Sequence, residues 1–176
     1  MKRISLIFAI ILTIVFFVTL TLEIVRRYRF KIGCEDWLKL AGEAMDVYQA
    51  RGFLAKGIEY LERKNLTVGS SAYFLKTPSA DLGLWYQRLK SGEEILEEVI
   101  ARKEKGEATP LEISNTLMKL RELLVDITEK KTEVTLPTKI WLFPKQITFL
   151  IWYLISGIGS LIFWTYWIVL ISKKDD

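Results

Sequence analysis

Four glutamates, Glu93, Glu94, Glu97 and Glu98, are the residues of this 176-residue chain whose spacing comes closest to chemistry. On a helix they form two carboxylate pairs one turn apart, a geometry that can hold a divalent cation or, in ferritin-like bundles, part of a pair of irons. Those iron sites also take histidines, and the chain has none. Lys90, Arg102 and Lys103 lie close in sequence, so the four glutamates read as a solvated acidic face countered by nearby cations. With no histidine and only one cysteine, the chain lacks the residues that zinc sites, haem ligation and Ser-His-Asp or Cys-His catalysis need. The single cysteine, Cys34, excludes an intramolecular disulfide. It has a position suited to lipidation or reactivity, but a small side chain packed at a helix start is the expected role. Asp81 with Trp85 and Tyr86, facing Tyr73 and Phe74, could line a ligand cleft; aromatics at helical spacing belong more often to a core. No catalytic residue, metal site or cofactor is expected.

The elements around these residues are organised by Ile147 to Ile171, about 25 residues without a charged side chain, enough helix to cross a bilayer with some tilt. Its mate is Ile4 to Val25. Met1-Lys2-Arg3 before that run resembles a secretory signal, but the run is long and no small-x-small cleavage site follows, so it reads as an uncleaved signal anchor. Arg26, Arg27, Tyr28 and Arg29 mark the interface where the first span leaves the lipid. The chain is 51% hydrophobic and 26% charged, a mixture that makes sense when the apolar residues are concentrated in spans and the charges cover a domain between them. The net charge of +4 is interleaved with carboxylates and flanks the spans, which argues against nucleic acid.

Between the spans the spacing predicts three long helices. The first covers Cys34 to Lys64, with Trp37, Leu40, Ala44, Val47, Leu54, Ile58 and Leu61 as its apolar stripe and Asp46 on its polar face. Asn65 ends it, and Leu66 to Lys76 form a packed connection. The second opens at Thr77-Pro78, buries Leu82, Trp85, Leu89, Leu96, Val99 and Ile100, and runs to about Lys105. Gly106 ends it. Thr109-Pro110-Leu111-Glu112 is a capping box for the third, whose stripe is Ile113, Leu117, Leu120, Leu124 and Ile127. Three antiparallel helices leave the chain at the wrong end for the second span, so Glu133 to Gln146 is expected to return as an extended strand, ending with Trp141 to Lys145 at the membrane interface.

The expected architecture is all-α, two transmembrane helices flanking a three- to four-helix bundle domain. Its parts are an N-terminal signal anchor at 1–31, a soluble helical bundle at 32–132, an extended return linker at 133–146, and a C-terminal transmembrane helix with a short tail at 147–176. In the second span Ser156, Gly157, Gly159 and Ser160 form a small-residue patch that would let another helix approach closely, either the first span or a second copy.

The segments LTVGSSAYFLKTPSADLGLWY and TPLEISNTLMKLRELL resemble an uncharacterised family of small bacterial membrane proteins with two spans flanking a helical domain. The resemblance implies the architecture and assigns no activity.

Two topology signals disagree. Arg26, Arg27, Arg29, Lys31, Lys130, Lys131, Lys139 and Lys145 outnumber Lys2, Arg3, Lys173 and Lys174, which taken alone places the domain in the cytoplasm. The signal-anchor start and Asn65-Leu66-Thr67, a glycosylation pattern, favour an extracytoplasmic domain with both termini cytoplasmic, and that is the reading adopted. The expected function is a non-enzymatic membrane protein whose helical domain serves protein–protein interaction or scaffolding, with the lipid bilayer and a protein partner or homo-oligomer as its contacts. The alternative is an extracytoplasmic small-molecule sensor lacking its own output domain.

Overall fold

The computed structural model describes residues 2–128 and 131–175. In chain order its helices are α1 (Lys2–Phe30), α2 (Asp36–Glu43), α3 (Val47–Arg63), α4 (Leu82–Glu104), α5 (Pro110–Leu124) and α6 (Gln146–Asp175). Strands β1 (Val125–Thr128) and β2 (Lys131–Val134) lie between α5 and α6. Residues Glu129 and Lys130, and the side chains of Lys2, Arg3, Ile127, Lys131, Lys173 and Lys174 invoked above, lie outside what is described. The chain divides into two compact units, one of Met1–Arg27 with Pro144–Asp176, the other of Tyr28–Phe143.

The first unit pairs two helices long and apolar enough to cross a membrane. The second is built on α2 to α5. The expected first helix is two helices here: the chain breaks at Ala44, which is extended at ψ 140°, and restarts at Asp46, whose carboxylate accepts a hydrogen bond from the Tyr48 N–H at 3.0 Å. The resulting hairpin packs closely because of its glycines. A Cβ on Gly57 would lie 2.7 Å from Leu38 Cδ2, and one on Gly33 would meet the Tyr60 ring. These contacts make α2 and α3 antiparallel.

The buried face of α2 is also displaced from the expected stripe. Phe30, Cys34, Leu38 and Ala41 are buried, while Leu40 is exposed. A π-helical turn at Lys31–Glu35 joins α1 to α2, and its extra residue rotates the face that follows. On α4 and α5 the core residues Leu82, Trp85, Leu89, Leu96, Leu120 and Leu124 stand where the periodicity predicts them. Gly92 admits Leu120, whose Cδ1 would be 3.2 Å from a Cβ there.

Dividing the first helix changes the count from three to four, and an even number of antiparallel helices returns the chain to its starting end. Phe30 meets Tyr60 edge-on at 6.0 Å, Trp85 Nε1 donates to the Thr135 carbonyl at 2.9 Å, and a Cβ on Gly69 would be 2.6 Å from the Phe143 ring. Entry and exit of this unit therefore lie at one end. The long extended return over 133–146 is replaced by an antiparallel hairpin pairing Val125 with Val134 and a 3₁₀ turn at Ile140–Leu142. Ile140 and Leu142 are fully buried, and Trp141 and Phe143, expected at a membrane interface, pack on the core.

One of the two expected proline-led helix starts differs, and the other is as the spacing predicts. Thr77-Pro78 opens a 3₁₀ turn instead of α4, and Asp81 caps α4 by accepting from the Leu84 N–H at 3.1 Å. Thr109 caps α5, accepting from the Glu112 N–H at 3.2 Å. Asn65 and Gly106 adopt positive φ, 53° and 74°, as a helix terminus requires.

Candidate functional site

A set of polar residues of the first unit lies along one seam between α1 and α6, whereas Thr21 and Thr165 are exposed and bond back to their own helices. On α1 the seam runs through Ser5, Ala9, Leu12, Phe16, Thr19, Glu23 and Arg26, in alternating steps of four and three. On α6 it runs through Phe149, Tyr153, Ser156, Ser160, Phe163 and Trp167 with the same alternation. That is the spacing of a coiled-coil seam, which keeps one face of each helix toward the other. Phe8 stacks on Phe163 at 5.5 Å, Phe16 meets Tyr153 at 5.9 Å, and Arg26 lies over the Phe149 ring at 4.9 Å. The pairs run in opposite order along the two helices, so the seam is antiparallel.

Thr13 stands at its middle. Its hydroxyl donates to the Ala9 carbonyl at 2.8 Å and lies 2.8 Å from Ser160 Oγ. Trp164 Nε1 donates to it at 3.2 Å. With its own hydrogen given to Ala9, Thr13 accepts from both Ser160 and Trp164, which uses its one donor and both lone pairs.

Of the small residues picked out by sequence, all are placed against α1 or within α6. Ser160 bonds Thr13. A Cβ on Gly159 would be 2.9 Å from Leu12 Cδ1, and one on Gly157 would touch the Phe16 ring at 3.6 Å. Ser156 is fully buried and returns its hydroxyl to the Trp152 carbonyl. Nearer the other end of the seam, Tyr153 donates to the Glu23 carboxylate at 2.6 Å. The Glu23–Tyr153 pair was missed by sequence reasoning, although both residues fall on the repeating step.

The acidic face of α4 does not converge. Glu93 takes Lys90 at 2.6 Å and Glu97 takes Arg51 of α3 at 2.7 Å. Arg102 pairs with Glu112 and Lys103 with Asp46 at 3.1 Å. Among the described residues no three acidic or sulfur side chains are grouped to hold a metal ion. The Glu93 hydrogen bond, opposed by desolvation, raises the Lys90 pKa above the ordinary lysine value. A hydrogen bond to the Glu62 carboxylate, 2.5 Å away, raises Tyr86.

The aromatics considered for a cleft also diverge. Trp85 is buried and bonded to Thr135, Tyr86 reaches Glu62, Asp81 caps α4, and Phe74 is exposed. Cys34 is fully buried, its thiol 3.7 Å from the Gly57 carbonyl. No protein-family model, curated protein or solved structure matches this chain.

Proposed function

We propose that this chain is a non-enzymatic integral membrane protein: α1 and α6 cross the bilayer, and α2 to α5 form a four-helix bundle that docks a protein partner at the membrane surface. The observation that carries the reading is the inside-out pattern of the helix pair. The Thr13 and Ser160 hydroxyls, the Glu23 carboxylate and the Phe16 and Tyr153 rings face the seam, while Ile4, Ile7, Ile11, Ile14, Ile158 and Leu161 are turned outward and the exposed Thr21 and Thr165 return their hydroxyls to carbonyls of their own helices. An aqueous helix pair would reverse that arrangement, because outward apolar surface is stable only against lipid or protein. The helical stretch Ile4–Glu43 has 40 residues, about twice what a bilayer core needs.

The small-residue patch is occupied by α1, which leaves the bundle as the surface for a partner. On α5, Leu111 and Met118 lie two turns apart and are 70% and 58% exposed, with Ile95 of α4 beside Leu111 across a shallow groove. The bundle is extracytoplasmic and both termini are cytoplasmic. A Gly106→Cys variant in a Cys34→Ala background, treated on intact cells with a membrane-impermeant maleimide, should label before lysis; labelling only after lysis would place the bundle in the cytoplasm. A photo-crosslinker at Leu111 should give one discrete adduct that Met118→Asp abolishes, and an unchanged or diffuse pattern would remove the docking face.

A further inference from the structure

The connection between α3 and α4 presents apolar side chains on an ordered base. Backbone bonds close that base: the Ser71 N–H donates to the Ala80 carbonyl and the Leu82 N–H to the Gly69 carbonyl, both at 2.9 Å, with Ser70 bridged to Asp81. From it project Phe74 and Leu75, each 82% exposed, with Val68 at 74%. Neighbouring large apolar residues on a pinned loop need something to cover them.

Their place in the bundle identifies the cover. Gly69 is seated on Phe143, so this loop is at the end where the chain enters and leaves the unit. Phe143 is followed within three residues by Gln146, the start of α6, a tether of about 10 Å when fully extended. Exposed Tyr28, Arg29 and Lys31 follow directly on the apolar part of α1. Arg63, Lys64 and Lys76 are exposed at this end as well, and the Lys139 ammonium lies 5.4 Å from the Tyr73 ring centroid. Basic side chains around exposed aromatic and aliphatic ones match the headgroup and upper acyl region of a bilayer containing anionic lipid.

We infer that the loop around Phe74 and Leu75 is a membrane-inserting anchor, dipping into the leaflet that its own spans cross and holding the bundle against the surface. The inference rests on the two-span reading. The full-length chain, reconstituted in vesicles of phosphatidylcholine and phosphatidylglycerol, tests it with a polarity-sensitive dye at Phe74→Cys, Gly106→Cys or Ile14→Cys and, in parallel samples, lipids bearing a nitroxide high on the acyl chain, to reach Phe74, or near its end, to reach Ile14. Cys34→Ala removes the native thiol; should that variant fail to fold, the unsubstituted chain serves as the labelling blank. The expected result is blue-shifted, nitroxide-quenched emission at Phe74 and Ile14 and none at Gly106. Quenching at Ile14 without quenching at Phe74 overturns the anchor and leaves the spans standing. A blue shift at Phe74 without quenching means a protein surface or second copy covers the loop, and overturns it too. No quenching at Ile14 overturns the two-span reading itself.

Discussion

Thr13 and Ser160 place their hydroxyl oxygens 2.8 Å apart across the seam of α1 and α6. Two β-carbons that bring their substituents this close suit a disulfide. The pair Thr13→Cys with Ser160→Cys should therefore crosslink within one chain under mild oxidation in membranes. Adding Gly159→Leu should reduce that yield, because Leu12 Cδ1 already stands 2.9 Å from where the new Cβ would be and overpacking costs about 1–3 kcal/mol. Gel mobility under non-reducing conditions reads both. A crosslink between two chains in place of the internal one would mean that the patch serves a second copy.

Tyr153 holds Glu23 by a 2.6 Å hydrogen bond near the end of the same seam. Tyr153→Phe keeps the ring against Phe16, at 5.9 Å in the native pair, and removes only the hydroxyl. Hydrogen bonds between helices in a bilayer contribute about 0.6–1.7 kcal/mol, so the variant should lose about that much stability in mixed-micelle unfolding. In a double-mutant cycle Glu23→Ala should add little once the hydroxyl is gone. A full additive loss would show that Glu23 is held chiefly by other groups.

How much of this was readable before folding depends on which residues carried two compatible patterns. Thr109-Pro110-Leu111-Glu112 was legible because an N-cap is local: the Thr109 side chain needs only the Glu112 N–H three residues on. The break at Ala44 was not, because Leu40, Ala44 and Val47 keep helical spacing straight across it, and only Asp46 before Val47 signalled a new helix start. The β-hairpin was hidden in the same way. Ile127 continues the stripe of Leu124 at helical spacing, although Val125, Ile127, Thr128, Thr132 and Val134 are β-branched residues that favour strands. In the candidate site the small patch was visible from composition, whereas its partner stayed open between α1 and a second copy, because the four- and three-residue step that α1 shares with α6 does not say which helix lies alongside; the contacts of Gly159 with Leu12 and of Ser160 with Thr13 do. Of the ion pairs of α4, Lys90–Glu93 lies within the helix and follows from its spacing, whereas those of Glu97 and Arg102 depend on what α3 and α5 bring alongside, which no single helix pattern contains.

Trp85 ties the segment after β2 to the helices through its 2.9 Å hydrogen bond to the Thr135 carbonyl. Thr135 in turn donates its N–H to the Leu124 carbonyl at 2.9 Å, so the two bonds fix where the hairpin leaves α5. Trp85→Phe should cost about 1 kcal/mol for the lost bond, beyond any repacking. Hydrogen exchange should quicken across residues 133–143 and stay unchanged in α3. Uniform quickening would instead mean that the indole supports the whole core.

Asp46 is the residue on which the division of the first helix turns, and its charge makes the turn pH-dependent. Desolvation acts to raise its carboxyl, but the Lys103 hydrogen bond and charge, together with the Tyr48 and Gln49 N–H groups, outweigh it and hold the carboxyl below the ordinary aspartate value. A depressed folded-state pKa stabilises the fold wherever the carboxylate is ionised, so the contribution is fully present above the unfolded value near about pH 4. It is lost as the pH falls through the folded value. The pair with Lys103 is more than a third exposed at Asp46, so solvent screening keeps its Coulomb part small, and loss of the cap in Asp46→Ala should dominate at about 1 kcal/mol. Asp46→Asn keeps a capping oxygen and should recover most of that loss at neutral pH. Denaturant unfolding of the three proteins at neutral and acidic pH should show the native chain approaching the Asp46→Asn variant as pH falls; a gap that persists in acid would mean that the Asp46 charge does not contribute.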